Sequence, residues 1–147
     1  MRTLILILLF TLTSFAAQEK IVVAGGCFWC MEQPFEKLPG VKSVTSGYID
    51  GEKKDPTYKE VSSGSTGHKE AVLIEFDDSL VNLEQILKVF WRQINPTDDK
   101  GQFVDRGEQY TTGIFYFNDK QKEIAEQSKK KLIKSKRFDR PIVTPIK

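Results

Sequence analysis

A chain of 147 residues, 39% hydrophobic and 29% charged, fits one globular domain with a single core and is too apolar for intrinsic disorder. Its net charge of +2 gives no global reason to expect nucleic acid or an anionic membrane as partner, and two cysteines exclude a disulfide-rich scaffold and a four-cysteine zinc site. The near-neutrality is uneven: residues 18–119 carry −6 and residues 120–147 carry +7. The basic end reads as a solvated helix face, with a docking surface for an acidic partner as the alternative.

The chain opens with Arg2, an apolar run from Leu4 to Phe10, and an exit through Ser14, Ala16 and Ala17. That pattern predicts a signal peptide over residues 1–16, cleaved after Ala16, and an exported protein, periplasmic or extracellular. The uncharged stretch is short for a span of roughly 30 Å of hydrocarbon, so no stable membrane association is expected after cleavage. The mature domain is expected over residues 20–147.

Lys20 to Ala24 reads as a strand ended by Gly25-Gly26. Cys27 to Lys37 reads as a helix that Pro34 breaks or re-aims and Leu38-Pro39-Gly40 ends. Val41 to Tyr48 is β-rich, Tyr58 to Val61 predicts a short helical turn, and His68 to Phe76 a buried strand. Leu83, Ile86, Leu87, Phe90 and Trp91 carry helical spacing after Asn82, and Asn95-Pro96-Thr97 stops that helix. Asp98 to Gly107 reads as a long polar loop, Thr111 to Phe117 as a strand, Asp119 to Lys136 as a helix and Pro141 to Ile146 as a last strand. The order βαββαβ plus a final strand predicts an α/β two-layer sandwich, a ferredoxin-like mixed sheet with flanking helices.

The chemistry concentrates in Gly25-Gly26-Cys27-Phe28-Trp29-Cys30. A cysteine at a helix start meets free N–H groups and the helix dipole, which favour a thiolate by roughly 0.3–1 kcal/mol. That is too little alone for a strong nucleophile, so other groups must contribute. Cys30, three residues on, shares the helix face at a Cα separation of about 5 Å, within disulfide range. The pair can cycle between dithiol and disulfide, with Cys27 attacking and Cys30 resolving; a permanent structural disulfide competes with that reading. A metal site with His68 lacks a fourth ligand at recognisable spacing.

Gly26-Cys27-Phe28-Trp29 resembles the signature of peptide methionine sulfoxide reductases of the A type. The likeness continues through Leu38-Pro39-Gly40-Val41, Gly47-Tyr48, Pro56-Thr57-Tyr58, Ser63-Gly64, Thr66-Gly67-His68 with Glu70, Phe90-Trp91, Asn95-Pro96-Thr97, Asp105, Gly107 and Gln109-Tyr110, from about Ile21 to Ile146. It implies reduction of the S-epimer of methionine sulfoxide, protein-bound or free, by a monomer without cofactor or metal. Cys27 would attack the sulfoxide sulfur and become a sulfenic acid, and Glu70 would donate a proton while Tyr58 and Tyr110 bind the oxygen. Phe28 and Trp29 would pocket the substrate methyl, and Asp105 would support the site by hydrogen bonding. His68 would belong to the motif without being catalytic.

Two departures accompany the likeness. Many relatives have glycine or another small residue in place of Cys30 and later resolving cysteines, whereas here Cys30 is the internal resolver available. The family pattern also continues past the last strand, so the C-terminal tail is expected to be truncated. Recycling would use a thioredoxin-like reductant. Two rival functions remain: a general Cys-x-x-Cys thiol–disulfide oxidoreductase, and a non-catalytic module that binds sulfoxide peptides.

Overall fold

Apolar side chains alternate along the first strand, and where they point decides the layering. The computed structural model describes residues 18–147; the expected leader at residues 1–16 lies outside them. In strand β1 (Gln18–Ala24), Ile21 and Val23 point to one face and Val22 and Ala24 to the other. The chain continues through helix α1 (Phe28–Glu36), strand β2 (Val41–Ile49), helix α2 (Tyr58–Ser62) and strand β3 (Lys69–Asp77). Helix α3 (Leu83–Gln93), the two-residue strands β4 (Gly101–Gln102) and β5 (Asp105–Arg106), a 3-10 turn at Glu108–Tyr110, strand β6 (Gly113–Phe115) and helix α4 (Asp119–Lys134) follow.

The main sheet has the order β2-β3-β1-β6, and every pairing in it is antiparallel. The expected mixed sheet is therefore corrected. Its parallel component shrinks to one bridge, Ile114 to Ile146. Pro141 and Pro145 explain this, because a proline has no N–H for a ladder. The segment still seals the β6 edge: Ile114 N–H donates to Pro145 O at 3.0 Å and Lys147 N–H to Ile114 O at 2.9 Å.

One face of the sheet carries Ile21, Val23, Val72, Ile74, Phe76 and Ile114 against Phe28, Met31 and Phe35 of α1, Leu83, Ile86, Leu87, Phe90 and Trp91 of α3, and Ala125 of α4. The opposite face holds a smaller cluster of Ala24, Ala71 and Phe115. Three helices start on side-chain caps: Thr57 with Glu60, Asn82 with Gln85, and Asn118 receiving Gln121 N–H. Each such cap is worth about 1 kcal/mol.

Two further expectations change. Pro34 does not break α1 but sits inside it; the helix ends two residues later, so the missing donor costs only the bond to the Cys30 carbonyl. The expected loop from Asp98 to Gly107 contains the β4–β5 hairpin, with Gln102 paired to Asp105. Arg106 braces it by donating to both carboxylate oxygens of Asp98 at 2.8 and 3.0 Å, which holds the Asp98 carboxyl down at about 2.

Candidate active site

The first strand delivers Cys27 to the edge of the sheet next to the start of β3. Ala24 pairs with Ala71, so the turn Gly25-Gly26 lies beside Glu70, one residue further back on β3. Gly26 adopts φ +97, and a Cβ there would come within 3.1 Å of Gln102 Cβ. The conformation calls for glycine, and the space beside Gln102 is tight for any side chain. Cys27 then becomes the N-cap of α1, half-buried, and Cys30 follows in the first turn, exposed; both are free thiols.

Glu70 lies on the same strand face as Val72, Ile74 and Phe76 and is 1% exposed. Its Oε2 accepts the Phe28 N–H at 3.1 Å. Burial pushes this carboxyl above the ordinary carboxylate range; the Phe28 N–H opposes the shift, and the negative charge of Asp105 adds to it. A buried carboxyl whose protonated form is favoured by that burial is thereby held beside the helix start that carries Cys27.

An aromatic platform surrounds the acid. Phe28, buried, faces Trp29 at 5.4 Å between ring centroids, Tyr48 at 5.9 Å and Tyr58 at 6.2 Å, and Trp29 stacks on Tyr58 at 5.9 Å. Trp29 and Tyr58 are 63% and 48% exposed, so they form the open wall and Phe28 the floor. Tyr110, in the 3-10 turn, completes the group. Burial first, and then the nearness of Glu70 and Tyr58, raise the phenols of both Tyr48 and Tyr110. Both of these shifts favour the protonated, hydrogen-bond-donating phenol.

On the other side of α1, Cys27 and Cys30 line a cavity of about 270 Å³ with Arg92, Gln102, Phe103 and Asp105. Partial burial and then the adjacent Cys27 thiol push the Cys30 thiol up. The two cysteines, three residues apart at the start of one helix, thus share the wall of one cavity, the spacing from which a disulfide can form. Asp105, on β5, reaches the site through its charge on Glu70, Cys30 and Tyr110; among the described residues its side chain makes no hydrogen bond to them. The structure thus brings Cys27, Cys30, Glu70, Tyr58, Tyr110, Phe28, Trp29 and Asp105 to one end of the sheet.

His68 is occupied elsewhere. Its Nδ1 accepts the Gly51 N–H at 3.3 Å and its Nε2 meets Lys53 O at 2.7 Å, which assigns the proton to Nε2. Both ring nitrogens anchor the loop before α2, and neither serves Cys27.

Three residues of the site escaped sequence reasoning as functional groups. Tyr48 is the cross-strand partner of Glu70, so both side chains leave the sheet on one face. Gln109, buried, donates to Ser62 O at 3.0 Å and ties the turn carrying Tyr110 to the helix carrying Tyr58. Gln102, 1% exposed, backs Gly26 while its amide accepts Asn95 N–H at 2.7 Å and donates to Asn95 O at 3.0 Å. Register could have found Tyr48; the two glutamines look like ordinary loop polar residues until their burial is known.

Residues 19–147 match the family model for peptide methionine sulfoxide reductase. The chain is similar to the peptide methionine sulfoxide reductase MsrA of Listeria monocytogenes serotype 4a, with 56% identity over 128 residues, which is 87% of this chain and 72% of that protein. Among solved structures it resembles reduced Mxr1 from Saccharomyces cerevisiae, with TM-score 0.80 and 27% identity over 87% of this chain and 74% of that one. It also shares its fold with Mxr1 in complex with Trx2, at TM-score 0.60 and 18% identity over 86% of this chain and 73% of that one.

Proposed function

Because the chain belongs to the peptide methionine sulfoxide reductase family, and so reduces methionine S-sulfoxide to methionine, we propose that Cys27 is its nucleophile, Glu70 its proton donor and Cys30 its resolver. The observation that carries this assignment is the Phe28 N–H to Glu70 bond of 3.1 Å, which holds a buried, raised carboxyl against the first turn of the Cys27 helix. The substrate methyl rests on Phe28 and Trp29, and the sulfoxide oxygen receives hydrogen bonds from the Tyr58 and Tyr110 hydroxyls, with Tyr48 beside them.

Cys27 Sγ attacks the sulfoxide sulfur while the Glu70 proton goes to the departing oxygen. The oxygen ends on Cys27 as a sulfenic acid; the substrate gains two electrons and leaves as the thioether. Cys30 Sγ then attacks Cys27 Sγ, the Cys27–Cys30 disulfide forms and water departs. A dithiol reductant restores both thiols with two further electrons. The complex of the related Mxr1 with Trx2 supports a thioredoxin-like donor.

The strand order β2-β3-β1-β6 within βαββαβ supports the ferredoxin-like assignment. Arg2, the apolar run and Ala16-Ala17 support export of the mature chain. The test is turnover of separated S- and R-methionine sulfoxide with dithiothreitol. S is expected to be reduced and R untouched, Cys27→Ser to make no product, and Cys30→Ser to make about one product per enzyme without recycling thiol. Product from Cys27→Ser, or none from the first turnover of Cys30→Ser, would overturn the roles assigned.

A further inference from the structure

The substrate platform and the two-cysteine cavity lie on different sides of α1, since none of Phe28, Trp29, Tyr48 and Tyr58 lines the cavity. The rim of that cavity is unusual. The β4–β5 hairpin closes with Gln102 opposite Asp105, leaving a two-residue tip of Phe103 and Val104, 69% and 90% exposed. Phe103 sits at φ +52, where a bulky non-glycine residue costs on the order of 1–3 kcal/mol. Turns of this length favour Gly, Asn or Asp at such a position. A large apolar side chain held there, unburied, does nothing for the hairpin itself.

Across the cavity from the tip stands Arg92, the last basic residue of α3, exposed and without an ion pair among the described residues. Arg92 also lines the neighbouring groove between α3 and α4, about 610 Å³, where Lys88, Lys131 and Arg137 add positive charge. The acids along this stretch are Glu84, which Lys131 contacts at 3.5 Å, and Asp105 in the cavity wall. An apolar tip, an exposed cysteine and a net basic flank thus form one continuous surface.

We propose that this surface, the Phe103–Val104 tip with Arg92 and the α3–α4 groove, docks the protein reductant: a dithiol protein with an apolar surround to its reactive cysteine and an acidic flank. The proposal rests on the Cys27–Cys30 disulfide assigned above. The partner thiolate attacks Cys30 Sγ, the exposed sulfur; the Cys27–Cys30 bond breaks and Cys27 leaves as the thiolate at the helix start. The partner's second cysteine then attacks its own mixed disulfide, its dithiol is oxidised, and Cys30 is released reduced.

The test compares two reductants on the full chain, dithiothreitol, which needs no docking surface, and a purified thioredoxin. Val104→Glu and Lys88→Glu, at positions that do not line the two-cysteine cavity, are expected to keep dithiothreitol-driven turnover within about twofold. Both are expected to lose at least tenfold in kcat/KM for thioredoxin, through KM. Phe103→Gly, which relieves the backbone, is expected to raise Tm and still weaken thioredoxin. A thioredoxin with its second active-site cysteine replaced by serine is expected to be trapped on Cys30. Thioredoxin kinetics within twofold of wild type in all three variants, or equal losses with both reductants, would overturn the docking surface. Recycling by thioredoxin that survives in Cys30→Ser would instead overturn the underlying resolver assignment, so the two failures are distinct.

Discussion

Replacing Glu70 by Gln isolates one proton. Glutamine is nearly isosteric, and its carbonyl oxygen can still accept the Phe28 N–H now 3.1 Å from Glu70 Oε2, so the helix start stays in place. Alanine would confound the experiment by orphaning that buried N–H, at about 1–3 kcal/mol. General acid catalysis contributes about 10²- to 10⁴-fold, or about 2.7–5.4 kcal/mol of barrier. The first-turnover rate on S-sulfoxide, quenched and without recycling thiol, should fall by that factor. The wild-type rate should also decline as pH rises through the raised Glu70 value, and the Gln variant should lack this decline. Stability provides an independent check. A carboxyl raised by folding contributes stability that is intact below its unfolded value near 4.3 and is lost as pH rises through its folded value. Wild type should therefore lose ground to the Gln variant across that window, and the difference should level off above it. A Gln variant whose first turnover stays within about threefold of wild type would remove Glu70 as the donor.

Two other substitutions probe the frame. Gly101→Ala should cost about 2–4 kcal/mol in denaturant titration and depress activity, because φ is +136 and the new Cβ would meet Asp105 O at 2.2 Å, displacing the strand that carries Asp105; a cost under about 0.5 kcal/mol would contradict the hairpin geometry. His68→Ala should lower stability by about 2 kcal/mol through its two lost loop bonds while the folded fraction keeps its first turnover; a folded variant without first-turnover product would make His68 catalytic.

The elements that read correctly are those with long periodic faces. α3 carries five apolar residues at helical spacing and α4 starts on a clear Asn cap. β3 was legible as a strand, yet the direction of Glu70 followed only from counting in twos from Val72, Ile74 and Phe76. The β4–β5 hairpin was hidden because its strands are two residues long and its tip lacks the usual glycine or asparagine. The parallel component was overestimated because Ile142, Val143 and Ile146 look β-rich while the prolines between them remove ladder donors. The reactive cysteines announced themselves by position after Gly-Gly. Tyr48, Gln102 and Gln109 did not, since their contribution depends on register and burial that no local pattern encodes.

The start of α1 shows why Glu70 and Cys27 belong together. α2, α3 and α4 each begin with a side chain that accepts an amide of the first turn, whereas Cys27 makes no such bond and the first turn of α1 holds no acid. A cysteine there forgoes about 1 kcal/mol that Asn, Asp, Ser or Thr would contribute. The missing acceptor arrives from β3: Glu70 takes the Phe28 N–H and caps the helix from 42 residues away. Because that N–H favours the ionised carboxylate while burial disfavours it, the net raised state requires burial to win. The same contact therefore stabilises the helix, aims the acid at the region in front of Cys27 and leaves the rest of the helix start open to a sulfur nucleophile. A conventional N-cap would restore the helix but occupy the one position from which a thiol can meet both the aromatic platform and the Cys30 cavity.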